Sequence, residues 1–106
     1  MYFEVIPIPP FDKQLKKLSK KYPSLKNDYD NLIKSLEKDP KQGKLIGNDC
    51  YKIRLAIKSK GKGKSSGARV ITHLRENSVY LLSIYDKSEK ENITDAELRE
   101  LLMYIE

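Results

Sequence analysis

The feature that most constrains this chain is a change of hydrophobic period at Cys50. From there to Tyr85 the sequence alternates with a period of two in three successive runs, and alternating side chains fall on opposite faces of a strand. In the first run Ile53, Leu55 and Ile57 share one face and Lys52, Arg54 and Lys58 the other, with Ala56 between. "ARVITHLR", residues 68–75, repeats the pattern, with Val70, Thr72 and Leu74 opposite Arg69, Ile71, His73 and Arg75. After a turn-like "ENS", the segment "VYLLSIY" at 79–85 is apolar enough for a central strand, whose parity is blurred when both faces are buried.

The rest of the chain carries mostly the helical period. "YFEVI", residues 2–6, reads as a short strand that "PIPP" ends. Phe11, Leu15, Leu18 and Tyr22 then line one helical face, with Asp12 as the expected N-cap and Pro23 as the break. Ser24 caps a second helix whose apolar face is Leu25, Tyr29, Leu32, Ile33 and Leu36, and the short junction implies an antiparallel pair. Residues 38–49 read as a connector rich in turn-formers. Near the end, Thr94 and Glu97 have capping-box spacing, Ile93 and Leu98 can staple around them, and Leu98, Leu101, Leu102 and Ile105 form a buried stripe. The expected order is β-α-α-β-β-β-α in one α+β domain over residues 1–106, with a small antiparallel-rich sheet and flanking helices.

Charge is concentrated where the period changes. Residues 1–49 carry 10 basic and 7 acidic side chains, residues 50–75 carry 8 basic and none acidic, and residues 76–106 carry 3 basic and 8 acidic. The central quarter therefore exceeds the whole net charge of +6, a field suited to a polyanion. No apolar run approaches the roughly 20 residues of a membrane helix, and the first 20 residues lack a secretory cleavage pattern. A single cysteine, Cys50, excludes an internal disulfide. A reducing, cytoplasmic setting with no membrane partner is the expectation.

Within this basic region "GKGKSSG" invites comparison with a phosphate-binding loop. Its register excludes that: Lys58 stands where the first glycine of the pattern belongs, and a strand follows instead of a helix. The run, with Lys58 and Lys60 just before it and Lys62 and Lys64 within it, reads as a hairpin connector whose lysines stay in water. On the flanking strands, Lys52, Arg54 and Lys58 lie near Arg69 and Arg75, placing like charges side by side, which costs energy unless an anion neutralises them. Arginine also offers a donor fork suited to phosphate. His73, the sole histidine, could move a proton or simply be hydrogen-bonded in a strand. Tyr85 could stack on a base or belong to the core, while Lys87 and Lys90 follow as phosphate contacts. With one histidine and no carboxylate between 50 and 75, no metal or other cofactor is expected. Cys50 reads as a small buried residue with no base beside it.

"CYKIRLAIKSKGKGKSSGARVITHL", followed by "VYLLSIYDKSEKENIT" and a C-terminal helix, resembles the RelE/ParE superfamily of type II toxins, particularly its HigB-like branch. Its specific signals are the Lys-Ser-x-Gly-x-Arg core and the Tyr-x-Lys ending. The resemblance implies a RelE-like fold and metal-independent, ribosome-dependent mRNA cleavage by attack of a 2′-hydroxyl on the adjacent phosphate. It also implies a cognate antitoxin, with operator DNA bound through that antitoxin. Carried onto this chain, it gives Lys52 and Arg54 as the basic strand pair, Arg69 as the charge-stabilising arginine and Lys87 as the basic residue after the last strand. Lys52 or His73 would deprotonate the hydroxyl, and Lys58, Lys60, Lys62 and Lys64 would hold rRNA or mRNA backbone. RelE itself places a tyrosine near the position of Ile93, where this chain has none; Tyr85 could substitute from the strand end. A ParE-like gyrase inhibitor and a noncatalytic nucleic-acid-binding module are the competing readings.

Overall fold

The computed structural model describes residues 2–61 and 66–105. Its elements are β1 (Glu4–Pro7), α1 (Pro9–Lys21), α2 (Leu25–Lys38), β2 (Lys44–Gly47), β3 (Cys50–Leu55), a 3₁₀ turn (Lys58–Lys60), β4 (Ala68–Arg75), β5 (Ser78–Asp86) and α3 (Asp95–Leu102). The sheet order is β1-β5-β4-β3-β2, antiparallel throughout except for the parallel β1–β5 pair. This is the expected α+β architecture, a mixed antiparallel-rich sheet with flanking helices.

Two details differ from the sequence reading. The connector at 38–49 contains a strand, β2, which pairs with β3 through a two-residue turn at Asn48 and Asp49. Both turn residues have positive φ, 53° and 57°, and Asn and Asp tolerate that conformation better than most residues. The first helix begins earlier than Asp12: Ile8 is its N-cap and prolines occupy its first two positions. Proline is suited there because its φ is already helical and its missing N–H has no partner to lose. Asp12 lies within the first turn, where its charge favours the helix dipole.

The core joins the α1–α2 pair to one face of the sheet, with Phe11, Leu18, Leu25, Leu32 and Leu36 buried together with Ile53, Val70, Val79 and Ile84. Each fully buried aliphatic side chain contributes about 1.5–3 kcal/mol. α3 lies across the other face, where Leu98 shares a small cavity with Ile46, Lys52 and Ile93. Its capping box is formed: the Glu97 N–H donates to Thr94 Oγ1 at 3.1 Å and the Thr94 N–H to Glu97 Oε1 at 3.0 Å. Thr94→Ala is therefore expected to cost about 1 kcal/mol in a denaturant titration and to raise amide exchange in the first turn of α3. No described helix is long and apolar enough to cross a membrane.

Candidate functional site

The β-sheet register assembles the basic residues into rows. Arg54 on β3 pairs with Arg69 on β4, and Arg69 pairs with Tyr85 on β5. Parity then puts Lys52, Arg54, Arg69 and Tyr85 on one face of the sheet. Arg54 is exposed, whereas Arg69 is only 4% exposed and donates from Nη1 to the Ala68 carbonyl at 3.2 Å. Lys52 occupies the next row, opposite Ile71, and its Nζ donates to Asn92 Oδ1 at 2.9 Å. Two cross-strand arginines beside a lysine form a surface that an anion would stabilise.

Other candidate residues are distributed differently. Lys58 leaves the strand for the 3₁₀ turn and is exposed there. Together with Lys44, Lys52 and Arg54 it rims an open groove of about 680 Å³, which Leu32, Ile53 and Leu55 also line. Lys87 sits in the turn after β5, and its N–H donates to the Gly67 carbonyl at 3.1 Å, close to the start of β4. The Lys90 ammonium lies 5.5 Å from the centroid of the Tyr85 ring and pairs with Glu97. Lys62 and Lys64 fall outside the described residues. Arg75 is exposed at the far end of β4, six residues and roughly 20 Å along the strand from Arg69.

His73 shares the face of Arg69 but lies four residues along β4, about 13 Å away. It is 6% exposed, and its Nδ1 stands 3.5 Å from Cys50 Sγ, its register partner on β3. Burial, reinforced by the Arg75 charge, lowers its pKa. Burial and the Asp49 charge push the Cys50 thiol up to about 11. The pair is thus biased toward neutral thiol and neutral imidazole. Sequence reading saw no base beside Cys50 because the pairing exists only through the β3–β4 register.

Lys60 requires a correction. Instead of standing in water it turns inward, donating to Asp86 Oδ1 at 2.9 Å and to the Ser66 carbonyl at 2.7 Å. The Asp86 side chain is completely buried, and it also accepts from the Tyr22 hydroxyl and from the N–H and hydroxyl of Ser88. Burial opposes its ionisation, but the Tyr22, Lys60 and Ser88 donors outweigh that and hold its carboxyl well below the usual range. Asp28, 5% exposed, makes a second clamp, accepting from the Ser24 hydroxyl at 2.8 Å and the Lys58 N–H at 3.2 Å. Neither aspartate was legible as a site component, since Tyr22 and Lys60, which bond Asp86, and Lys58, which bonds Asp28, are remote in sequence.

Gly67, the glycine of the Lys-Ser-x-Gly-x-Arg motif, packs where no side chain fits. A Cβ there would meet the Leu55 carbonyl oxygen at 2.1 Å. That oxygen belongs to backbone and cannot swing aside. Gly67→Ala is expected to cost about 1–3 kcal/mol, as overpacked sites do, and to displace the N-terminal end of β4, lowering activity together with thermal stability. Among the described residues no group of three or more His, Cys, Asp or Glu is placed to hold a metal.

A family model described as the RelE toxin of the RelE/RelB toxin–antitoxin system matches residues 12–105 of this chain. Among solved structures, a mutant of the E. coli toxin RelE in the free state superposes with a TM-score of 0.66 at 21% identity, covering 100% of both chains. The isolated E. coli RelE toxin in another crystal gives 0.62 at 19% identity, over 98% of this chain and 99% of that one. At such identities the structural likeness concerns the fold.

Proposed function

This chain belongs to the RelE toxin family, and from that premise we propose that it is a ribosome-dependent mRNA endonuclease of the HigB-like branch, held in check by a cognate antitoxin. The observation that carries this reading is the cross-strand row Arg54–Arg69–Tyr85 with Lys52 beside it. Two arginines, a lysine and a phenol on one sheet face offer what cleavage of a phosphodiester needs without a metal. The 2′-oxygen attacks phosphorus, the bond to the 5′-oxygen breaks, and a cyclic phosphate and a 5′-hydroxyl remain. The 2′-hydroxyl proton passes to a base and the leaving oxygen gains one.

In this proposal Arg69 stabilises the charge that builds on the phosphate, where a preorganised donor in a poorly solvated position is most effective. Arg54 and Lys87 assist, and Lys52 is the group assigned to the 2′-hydroxyl proton. His73 is assigned a structural role, because it is buried against Cys50 and distant from the row. Lys58, Arg75 and the loop lysines Lys62 and Lys64 contact nucleic-acid backbone, a role that positions without reading sequence. The antitoxin covers this basic face and connects the toxin to operator DNA.

The test is inducible expression with mapping of mRNA 5′ ends, paired with cleavage of a defined mRNA in the presence and absence of ribosomes. Fresh 5′-hydroxyl ends within translated regions, appearing only with ribosomes, are expected. Intact mRNA accompanied by persistent gyrase–DNA breaks would establish the ParE-like alternative instead.

A further inference from the structure

The segment between β5 and α3 lies against the basic face: its Asn92 accepts from Lys52, and its Lys90, whose ammonium sits over the Tyr85 ring, pairs with Glu97 in the first turn of α3. Glu97 is itself fixed, because its other carboxylate oxygen accepts from the Thr94 N–H in the capping box. Beneath them Tyr85 is 8% exposed, and its hydroxyl is buried with no hydrogen-bond partner among the described residues. A buried phenol normally finds a partner, since leaving one unsatisfied costs about 1–3 kcal/mol. Tyr85 is the register partner of Arg69, so the orphaned hydroxyl belongs to the end of the row that faces substrate in the proposed function.

We propose that Glu97 is a stand-in anion, occupying in the free protein the place of an RNA phosphodiester, and that this phosphate displaces it to take Lys90 and the Tyr85 hydroxyl as donors. The inference rests on the RNA-cleaving reading and adds a second phosphate subsite beside Arg69. Lys90 and Tyr85 contact the substrate, whereas Glu97 is a positioning residue that acts through Lys90. An exposed ion pair is weak; the Lys90 and Glu97 side chains are 35% and 42% exposed. Exchange of carboxylate for phosphate is therefore easy, and the pair also keeps Lys90 from wandering before substrate arrives.

The experiment measures binding of wild-type and variant proteins to ribosomes programmed with an mRNA carrying a 2′-deoxy residue at the cleavage position, alongside single-turnover cleavage of the unmodified mRNA. Glu97→Gln preserves the capping box, because glutamine also accepts from the Thr94 N–H, but it removes the charge. It is expected to tighten binding roughly two- to fivefold. In a Lys90→Met background the same change should give no gain, which separates release of Lys90 from a general loss of negative charge. Tyr85→Phe is expected to unfold at the wild-type temperature or above, having lost no hydrogen bond, yet to bind about tenfold more weakly. A Glu97→Gln gain that persists without Lys90, or wild-type binding by Tyr85→Phe, overturns the subsite. If wild-type protein neither binds nor cleaves on ribosomes, the endonuclease reading fails and the subsite falls with it; wild-type cleavage with unchanged Glu97→Gln binding defeats the subsite alone.

Discussion

Changing Arg69 to alanine is expected to lower the single-turnover rate of ribosome-dependent mRNA cleavage by about 10²–10³-fold, the usual cost of removing one preorganised donor from a developing oxyanion. Arg69 is the centre of the row, between Arg54 and Tyr85, and it is almost entirely buried. Its electrostatic effect on a phosphate is therefore less screened than that of exposed Arg54, for which a smaller loss follows. Arg69→Lys separates charge from geometry: lysine retains the cation but not the planar fork, so partial recovery is expected. Thermal unfolding of each variant must accompany the kinetics, because Arg69 lies inside the sheet. Full cleavage by a folded Arg69→Ala protein would remove this residue from the mechanism.

The difference between Arg54 and Arg69 also marks how far the sequence could be read. Alternation placed both on one face, and β4 coincides with "ARVITHLR", although residues 68–73 are buried on both faces. The capping box at Thr94 was equally plain, being a local hydrogen-bond pattern with fixed spacing. β2 was hidden for a physical reason: it is a four-residue edge strand with Lys44 and Leu45 both exposed, so burial imposes no alternation on it. Its one signal was the Asn48–Asp49 turn. The degree of burial of Arg69 and the pairing of His73 with Cys50 depend on tertiary packing and strand register, which no local pattern encodes.

Lys60 illustrates the same limit from the side of charge. Its type and its place in a basic run suggested a solvated phosphate contact, yet the fold brings it to an aspartate 26 residues away. A run of like charges can thus contain one member that is not part of the run's field. The local cost of turning a lysine inward is met by Asp86 and the Ser66 carbonyl together.

Asp86→Asn should consequently be more destabilising than Thr94→Ala or Gly67→Ala, by about 3–5 kcal/mol in all, because it leaves the Lys60 ammonium inside without its counter-charge. Such a loss is a large fraction of the 5–15 kcal/mol typical of a domain, so a fall in Tm of more than about 10 °C is expected. Lys60→Met should cost less, since Tyr22 and Ser88 continue to donate to the carboxylate. The pH dependence has a definite sign. A carboxyl depressed in the folded state binds its proton more readily when unfolded, so its contribution is complete above the ordinary aspartate value near pH 4 and disappears as the pH falls toward the folded value. Wild-type stability should therefore decline below about pH 4, and Asp86→Asn should lack that part of the decline. Equal acid sensitivity of the two proteins in urea titrations would show that ionised Asp86 does not stabilise the fold.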